Sequence, residues 1–315
     1  VSVSSDGVSW SQEELMNQGE CFLWIAHCAP LVDAEGETTS WSSQMRDFTG
    51  RYVRLTMQAP GAVIGEVGFV DSATRTPLPV ASVSSSGGVE GHAQDPALLC
   101  DEQDAVPDVP SYLNGTYFDE IYHARTGYEH LHGLHTFEWT HPPLGKLLMA
   151  VCIGIFGMTP FGWRFAGTVS GILMLPVMYL LGKQLFKKTA PAFYATALLA
   201  LDCMHFTQTR IATIDTFVVL FIMAMYLCML RWTQMSFHHQ KLSRTFVPLA
   251  LSGVFMSLAI ASKWTGLYAA VGLAVIFFAR LYGLWRQAQC ARAHQDVGPR
   301  HPVPAPPSSR KAKRS

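Results

Sequence analysis

From Leu144 to Trp285 apolar residues run in long blocks broken by single charges, whereas the chain before residue 140 is rich in Ser, Gly, Asp and Glu. About 20 consecutive apolar residues cross a bilayer as a helix. The pattern predicts five such spans, at 164–186, 190–209, 212–231, 246–262 and 265–285. The preceding run LGKLLMAVCIGIFGM is amphipathic and too short for a span, and predicts a helix lying in the interface. In the polar half the period changes to two: in RYVRLTM, Tyr52, Arg54 and Thr56 alternate with Val53, Leu55 and Met57, as in a half-buried strand. Pro60-Gly61 then supplies a turn before a second strand, AVIGEVGFVD. These strands predict a β-sandwich over residues 1–80. A Gly- and Pro-punctuated linker follows at 81–110, then a loop with the interfacial helix at 111–163, the spans at 164–285 and a Pro-rich basic tail at 286–315, too poor in apolar residues to pack.

Charge orients the helical half. The joints carrying Lys183, Lys187 and Lys188, then Arg231, Lys241 and Arg244, then Arg280, Arg286 and Arg292 alternate along the chain, and the positive-inside rule makes them cytoplasmic. Residues 1–163 then lie outside the cytoplasmic membrane. Arg164, Arg210, Asp215 and Lys263 are left at the outer helix ends, on the side of Asp119, Glu120 and Lys146. Ionisable groups at such positions pair with one another or bind something charged, and an anionic lipid head group fits. Formal net charge is zero, which gives no reason to expect a nucleic-acid partner. Of the seven cysteines, Cys21, Cys28 and Cys100 lie in the polar half and allow one disulfide there; no CxxC pair occurs. With no initiator methionine or signal peptide, the chain reads as a fragment that a membrane helix preceded.

The densest chemistry lies in YFDEIYHARTGYEHLHGLHTFEWTHPPLGK, residues 117–146. A sugar on a lipid phosphate already carries a good leaving group, so its transfer needs cations on the phosphate and a carboxylate that takes the acceptor's proton. Asp119 suits the base, and Lys146, Arg164, Arg210 and Lys263 suit the phosphate. Pro142 and Pro143 stiffen the descent into the interfacial helix. The histidines His123, His130, His132, His135 and His141 suggest instead a zinc-dependent hydrolase, but no HExxH occurs and their spacing fits no standard ligand set, so no metal is expected.

Two resemblances sharpen this picture. TGRYVRLTMQAPGAVIGEVGFVD resembles the closing strands of discoidin-like domains, which implies an exoplasmic discoidin-like β-sandwich with a glycan or lipid ligand. The segments YFDEIYHARTGYEH, HPPLGKLL, GWRFAGTVSGIL, TRIATIDTFVVLF and ASKWTGLY, in that order, resemble the protein O-mannosyltransferases of the glycosyltransferase C superfamily. That resemblance implies a multi-pass α-helical membrane enzyme that uses polyprenyl-phosphate-mannose, with no further cofactor, to mannosylate Ser/Thr hydroxyls of secreted or membrane proteins with inversion. It makes Asp119 the base with Glu120 its neighbour, Arg164 a donor-phosphate ligand, and His141 and Asp215 supporting residues. The sandwich would be an insertion in the first exoplasmic loop, and the lack of MIR-like repeats favours a bacterial member. A lipid or glycan acceptor, or a non-catalytic glycan-binding membrane protein, are the competing readings.

Overall fold

In the computed structural model, residues 1–16, 24–34, 38–57, 64–86, 95–236 and 241–296 are described. Cys21, the Pro60-Gly61 turn, the middle of the linker and the tail from 297 lie outside them. Among the described residues eight α-helices follow four short strands: β1 (Ser2–Ser4), β2 (Cys28–Val32), β3 (Thr38–Met45) and β4 (Tyr52–Arg54), then α1 (Glu120–His132), α2 (Leu144–Phe156), α3 (Pro160–Phe186), α4 (Thr189–Leu201), α5 (Cys203–Gln208), α6 (Asp215–Thr233), α7 (Leu242–Ser262) and α8 (Thr265–Asp296).

The discoidin-like β-sandwich is not formed, and with it falls the expected glycan-binding module. The strands make two separate antiparallel pairs, β1 with β4 and β2 with β3. Before Gly115, only Ser2 and Ser4 are buried among the residues whose side chains are described. A sandwich exists because two sheet faces share an apolar core. Here Tyr52 and Val53, opposite faces of the alternating strand, are both exposed, and the described residues of AVIGEVGFVD contribute only an isolated bridge from Val70 to Pro77.

The helical half does have cores. One joins α1, α2, α3 and the start of α6 through Ala124, Met149, Ile153, Trp163, Ala212, Ile214 and Phe217. The other joins α6 to α8 through Met225, Met229, Trp232 and Leu273. Among the described residues four helices are long and apolar enough to cross a membrane: α3, α6, α7 from Ser243, and α8 to Arg292. The chain is a multi-pass membrane protein. The segment read as a span at 190–209 is interrupted at Asp202, which is extended (φ −70°, ψ 121°) and caps α5 by accepting from the His205 amide, so that α4 and α5 are both short.

Local signals explain where the helices near the outer loops begin and end. Thr159 accepts from the Gly162 amide and Pro160 occupies the first turn of α3. Gly133, left-handed at φ 65°, closes α1 by donating to the Glu129 and His130 carbonyls. At Gly171 a Cβ would lie 2.4 Å from Thr209 Cβ, so only glycine lets α3 approach the loop that carries Arg210 this closely.

Candidate active site

Glu120 organises the site. Its carboxylate is wholly buried and accepts four hydrogen bonds: from the Tyr117 amide (2.7 Å), the Ala212 amide (2.8 Å), Arg164 Nε (2.7 Å) and Arg164 Nη2 (2.6 Å). Arg164 Nη2 also donates to the carbonyls of Tyr112 (2.8 Å) and Gly115 (3.1 Å). The pair thus ties the loop before α1, the start of α3 and the loop before α6 into one unit. Charge-assisted bonds of this kind are roughly twice as strong as neutral ones, and Arg164 is committed to them.

The turn that Glu120 secures presents Asp119. Phe118 sits at φ 54°, in the left-handed region that costs a non-glycine residue roughly 1–3 kcal/mol. Its side chain is exposed, so packing does not hold it there. The Tyr117 amide bond to the Glu120 carboxylate, and the Glu120 amide bond back to the Tyr117 carbonyl, do. Asp119 stands at the cap position of α1, yet its side chain makes no capping bond and accepts no hydrogen bond from any described residue. It faces a cavity of about 340 Å³ whose other walls are Tyr122, His123, Phe137, Glu138, Trp139, Thr140 and His141.

Lys146 ties together two walls of that cavity, Glu138 and His141. It is 1% exposed and donates to Glu138 Oε2 (2.5 Å), the Glu138 carbonyl (2.9 Å) and the His141 carbonyl (3.0 Å), which uses all three ammonium hydrogens. Burial alone would raise the Glu138 carboxyl, but bonds from Lys146 and Thr140 and the Lys146 charge overcome it and hold Glu138 at about 2. The same strand of loop is fastened to α1, since Glu129 accepts from the Phe137 amide (2.7 Å) and Thr126 Oγ1 from the Glu138 amide (3.2 Å).

The remaining sequence candidates lie on neighbouring loops. Lys263 Nζ donates to both Asp215 oxygens at 2.7 and 2.9 Å, with the Asp215 side chain half-exposed. Trp264, its neighbour, donates to the Thr140 carbonyl (3.3 Å), which brings the α7–α8 turn against the cavity rim. Arg210 is exposed, lies over the Phe206 ring at 4.8 Å and has no carboxylate partner among the described residues. It is two residues from Ala212, which is bonded to Glu120. Of the five clustered histidines only His123 and His141 meet, with ring centroids 6.2 Å apart. Among the described residues no group of three or more His, Cys, Asp or Glu is disposed to hold a metal ion.

Glu138 and the aromatic wall of Tyr122, Phe137 and Trp139 were not singled out by sequence. Lys146 and Glu138 are eight residues apart across a Pro-Pro turn, and no helical or strand period links them. His123, by contrast, follows Asp119 by four, the spacing that puts two side chains on one helix face.

Residues 153–293 match the family described as Dolichyl-phosphate-mannose-protein mannosyltransferase. The polyprenol-phosphate-mannose–protein mannosyltransferase of Mycolicibacterium smegmatis is 28% identical over 172 residues, 48% of this chain and 33% of the relative. The protein of the same name from Corynebacterium glutamicum is 32% identical over 156 residues, 44% and 30% of the two chains. The apo crystal structure of ArnT from Cupriavidus metallidurans matches with a TM-score of 0.46 and 22% identity, over 56% of this chain and 34% of that one. The chain spans about a third of the length of these relatives, and the segment that the family model matches lies in the helical half.

Proposed function

We propose that the protein is a membrane glycosyltransferase that moves a hexose, mannose in the first instance, from a polyprenyl phosphate to Ser/Thr hydroxyls of exported proteins on the outer membrane face. The observation that carries this reading is the contrast between two adjacent carboxylates. Glu120 is saturated with donors, whereas the Asp119 side chain has none among the described residues and faces the cavity. An unengaged carboxylate held on a secured turn is what a general base requires. The names of the relatives support the donor and the acceptor.

In this reading the acceptor hydroxyl gives its proton to Asp119 as its oxygen attacks the anomeric carbon from the face opposite the phosphate. The carbon–oxygen bond to the phosphate breaks, the configuration inverts, and the lipid phosphate leaves with the negative charge. Arg210, exposed and without a carboxylate among the described residues, holds that phosphate together with Lys263, whose Asp215 partner is open to water and yields to a stronger anion. Arg164 and Lys146 act one step back, by holding the loop that places Asp119.

The test is Asp119→Asn, assayed in membranes from producing cells by transfer of labelled mannose from polyprenyl-phosphate-mannose to a Ser/Thr peptide. Turnover should fall on the order of 10²- to 10⁴-fold, with donor affinity and melting temperature unchanged. Near-normal turnover would remove Asp119 from the role.

A further inference from the structure

His123 belongs to none of the roles above. It shares a face of α1 with Asp119, lines the same cavity and is 4% exposed. Its Nδ1 is buried without a hydrogen-bond partner, and no described residue bonds either ring nitrogen. Across the cavity, His141 Nδ1 is buried and unpartnered in the same way. A buried polar atom left unpaired loses its water and gains nothing in return, and a phenylalanine in the place of His123 would avoid that loss. Burial pushes the His123 imidazole down to about 4, against the opposing pull of Asp119 and Glu138 and with Lys146 and His141 adding to the push. The ring is therefore neutral at neutral pH, with one N–H to donate and one lone pair to accept.

A group that both donates and accepts satisfies such a ring, and next to the Asp119 carboxylate that group is a hydroxyl. We infer that His123 is a substrate-contacting residue, whose imidazole hydrogen-bonds a hydroxyl of the molecule in the cavity and so orients that molecule on Asp119. This rests on the cavity being the transfer site proposed above. Hydroxyls reach it from two sources, the Ser/Thr acceptor and the hexose ring of the donor, and the chemistry of recognition is the same for both.

Two variants separate contact from packing. His123→Phe keeps the bulk and removes both nitrogens, while His123→Gln restores a donor and an acceptor. In the transfer assay His123→Phe should lose about 10- to 100-fold in kcat/KM, the range of a hydrogen bond made to substrate, and His123→Gln should recover much of it. The Phe variant should melt at or above the wild-type temperature. A shift confined to the peptide KM assigns the hydroxyl to the acceptor, and one confined to the lipid-donor KM assigns it to the sugar. Unchanged kcat/KM for both substrates in His123→Phe, or a Gln variant no better than Phe, overturns the inference. Binding is read independently of turnover from Trp139, which lines the cavity, by fluorescence titration with a Ser/Thr peptide and with polyprenyl-phosphate-mannose, using Trp139→Phe to assign the signal. Wild-type binding that His123→Phe weakens, in a protein that transfers nothing, would leave the contact standing and defeat the transferase reading. A wild-type signal that His123→Phe leaves unchanged would defeat the contact itself.

Discussion

Neighbouring residues of identical charge type do opposite work here, and the difference lies in their partners. Glu120→Ala removes the acceptor of two amides and leaves the Arg164 guanidinium in a site built for a carboxylate. Breaking such a buried pair costs about 3–5 kcal/mol. Thermal unfolding of purified Glu120→Ala should show that loss, while Asp119→Asn should melt as wild type; equal melting of the two variants would mean that Glu120 does not hold the turn. His123 adds a pH dependence with a definite sign. Burial depresses its imidazole to about 4, against 6.5 in the unfolded chain, so between those values the unfolded chain binds more protons and stability falls as pH falls. The contribution is complete above pH 6.5 and amounts to about 3 kcal/mol at most. Glu138, held near 2 against 4.5, contributes in the window below, present above pH 4.5 and lost towards pH 2. Melting temperature should therefore decline from pH 7 to pH 4.5, and His123→Phe should flatten that decline. A Phe variant with the wild-type slope would assign the decline to other groups. The candidate residues themselves were legible one by one, because Asp, Glu, Lys and Arg at the outer ends of apolar runs are conspicuous. Their pairing was not. Arg164 reads from sequence as a phosphate ligand because it stands at the outer end of an apolar run, and its partner Glu120 lies 44 residues away.

At the scale of elements, the site depends on how closely α3 meets the loop before α6. A Cβ on Gly171 would stand 2.4 Å from Thr209 Cβ, and backbone rather than a flexible side-chain tip must move to admit it. Gly171→Ala should cost about 1–3 kcal/mol of stability, the usual price of overpacking, and should weaken donor binding as well, because Arg210 follows Thr209 directly. Donor affinity that survives the stability loss would show that Arg210 acts independently of this contact. The helices were readable because a span must be apolar over its whole length and the charges between spans mark its ends. The break at Asp202 was missed because the apolar pattern continues across it, from Leu201 to Cys203 and Met204, and one capping aspartate is a weak signal inside a long hydrophobic run. The strands were misread for the opposite reason. Three residues, Tyr52–Arg54, do pair, but both faces of the alternating strand stay exposed among the described residues.

For the molecule as a whole, the outer loops converge at one end of the helices. Glu120 on α1 pairs with Arg164 near the start of α3, Ala212 before α6 bonds the same carboxylate, and Trp264 after α7 bonds Thr140 beside the cavity. The Lys-rich joint at Lys187 and Lys188 lies at the other end of α3, 27 residues on. At about 1.5 Å per residue that is roughly 40 Å, more than the hydrocarbon core of a bilayer, so α3 is long enough to put His135 and Lys188 on opposite sides of the membrane. The positive-inside bias puts Lys188 in the cytoplasm, and the cavity with its proposed base then opens outside. Cysteines engineered singly at His135 and Lys188, in a background with the native cysteines replaced, test this directly. A membrane-impermeant maleimide added to intact cells should label position 135 at once and position 188 only after permeabilisation. The reverse pattern would turn the whole molecule over and put Asp119 in the cytoplasm, away from the exported acceptors proposed for it. Labelling of both positions in intact cells would mean that α3 does not span, and the charge argument that separates the outer cations from the inner ones would fall with it.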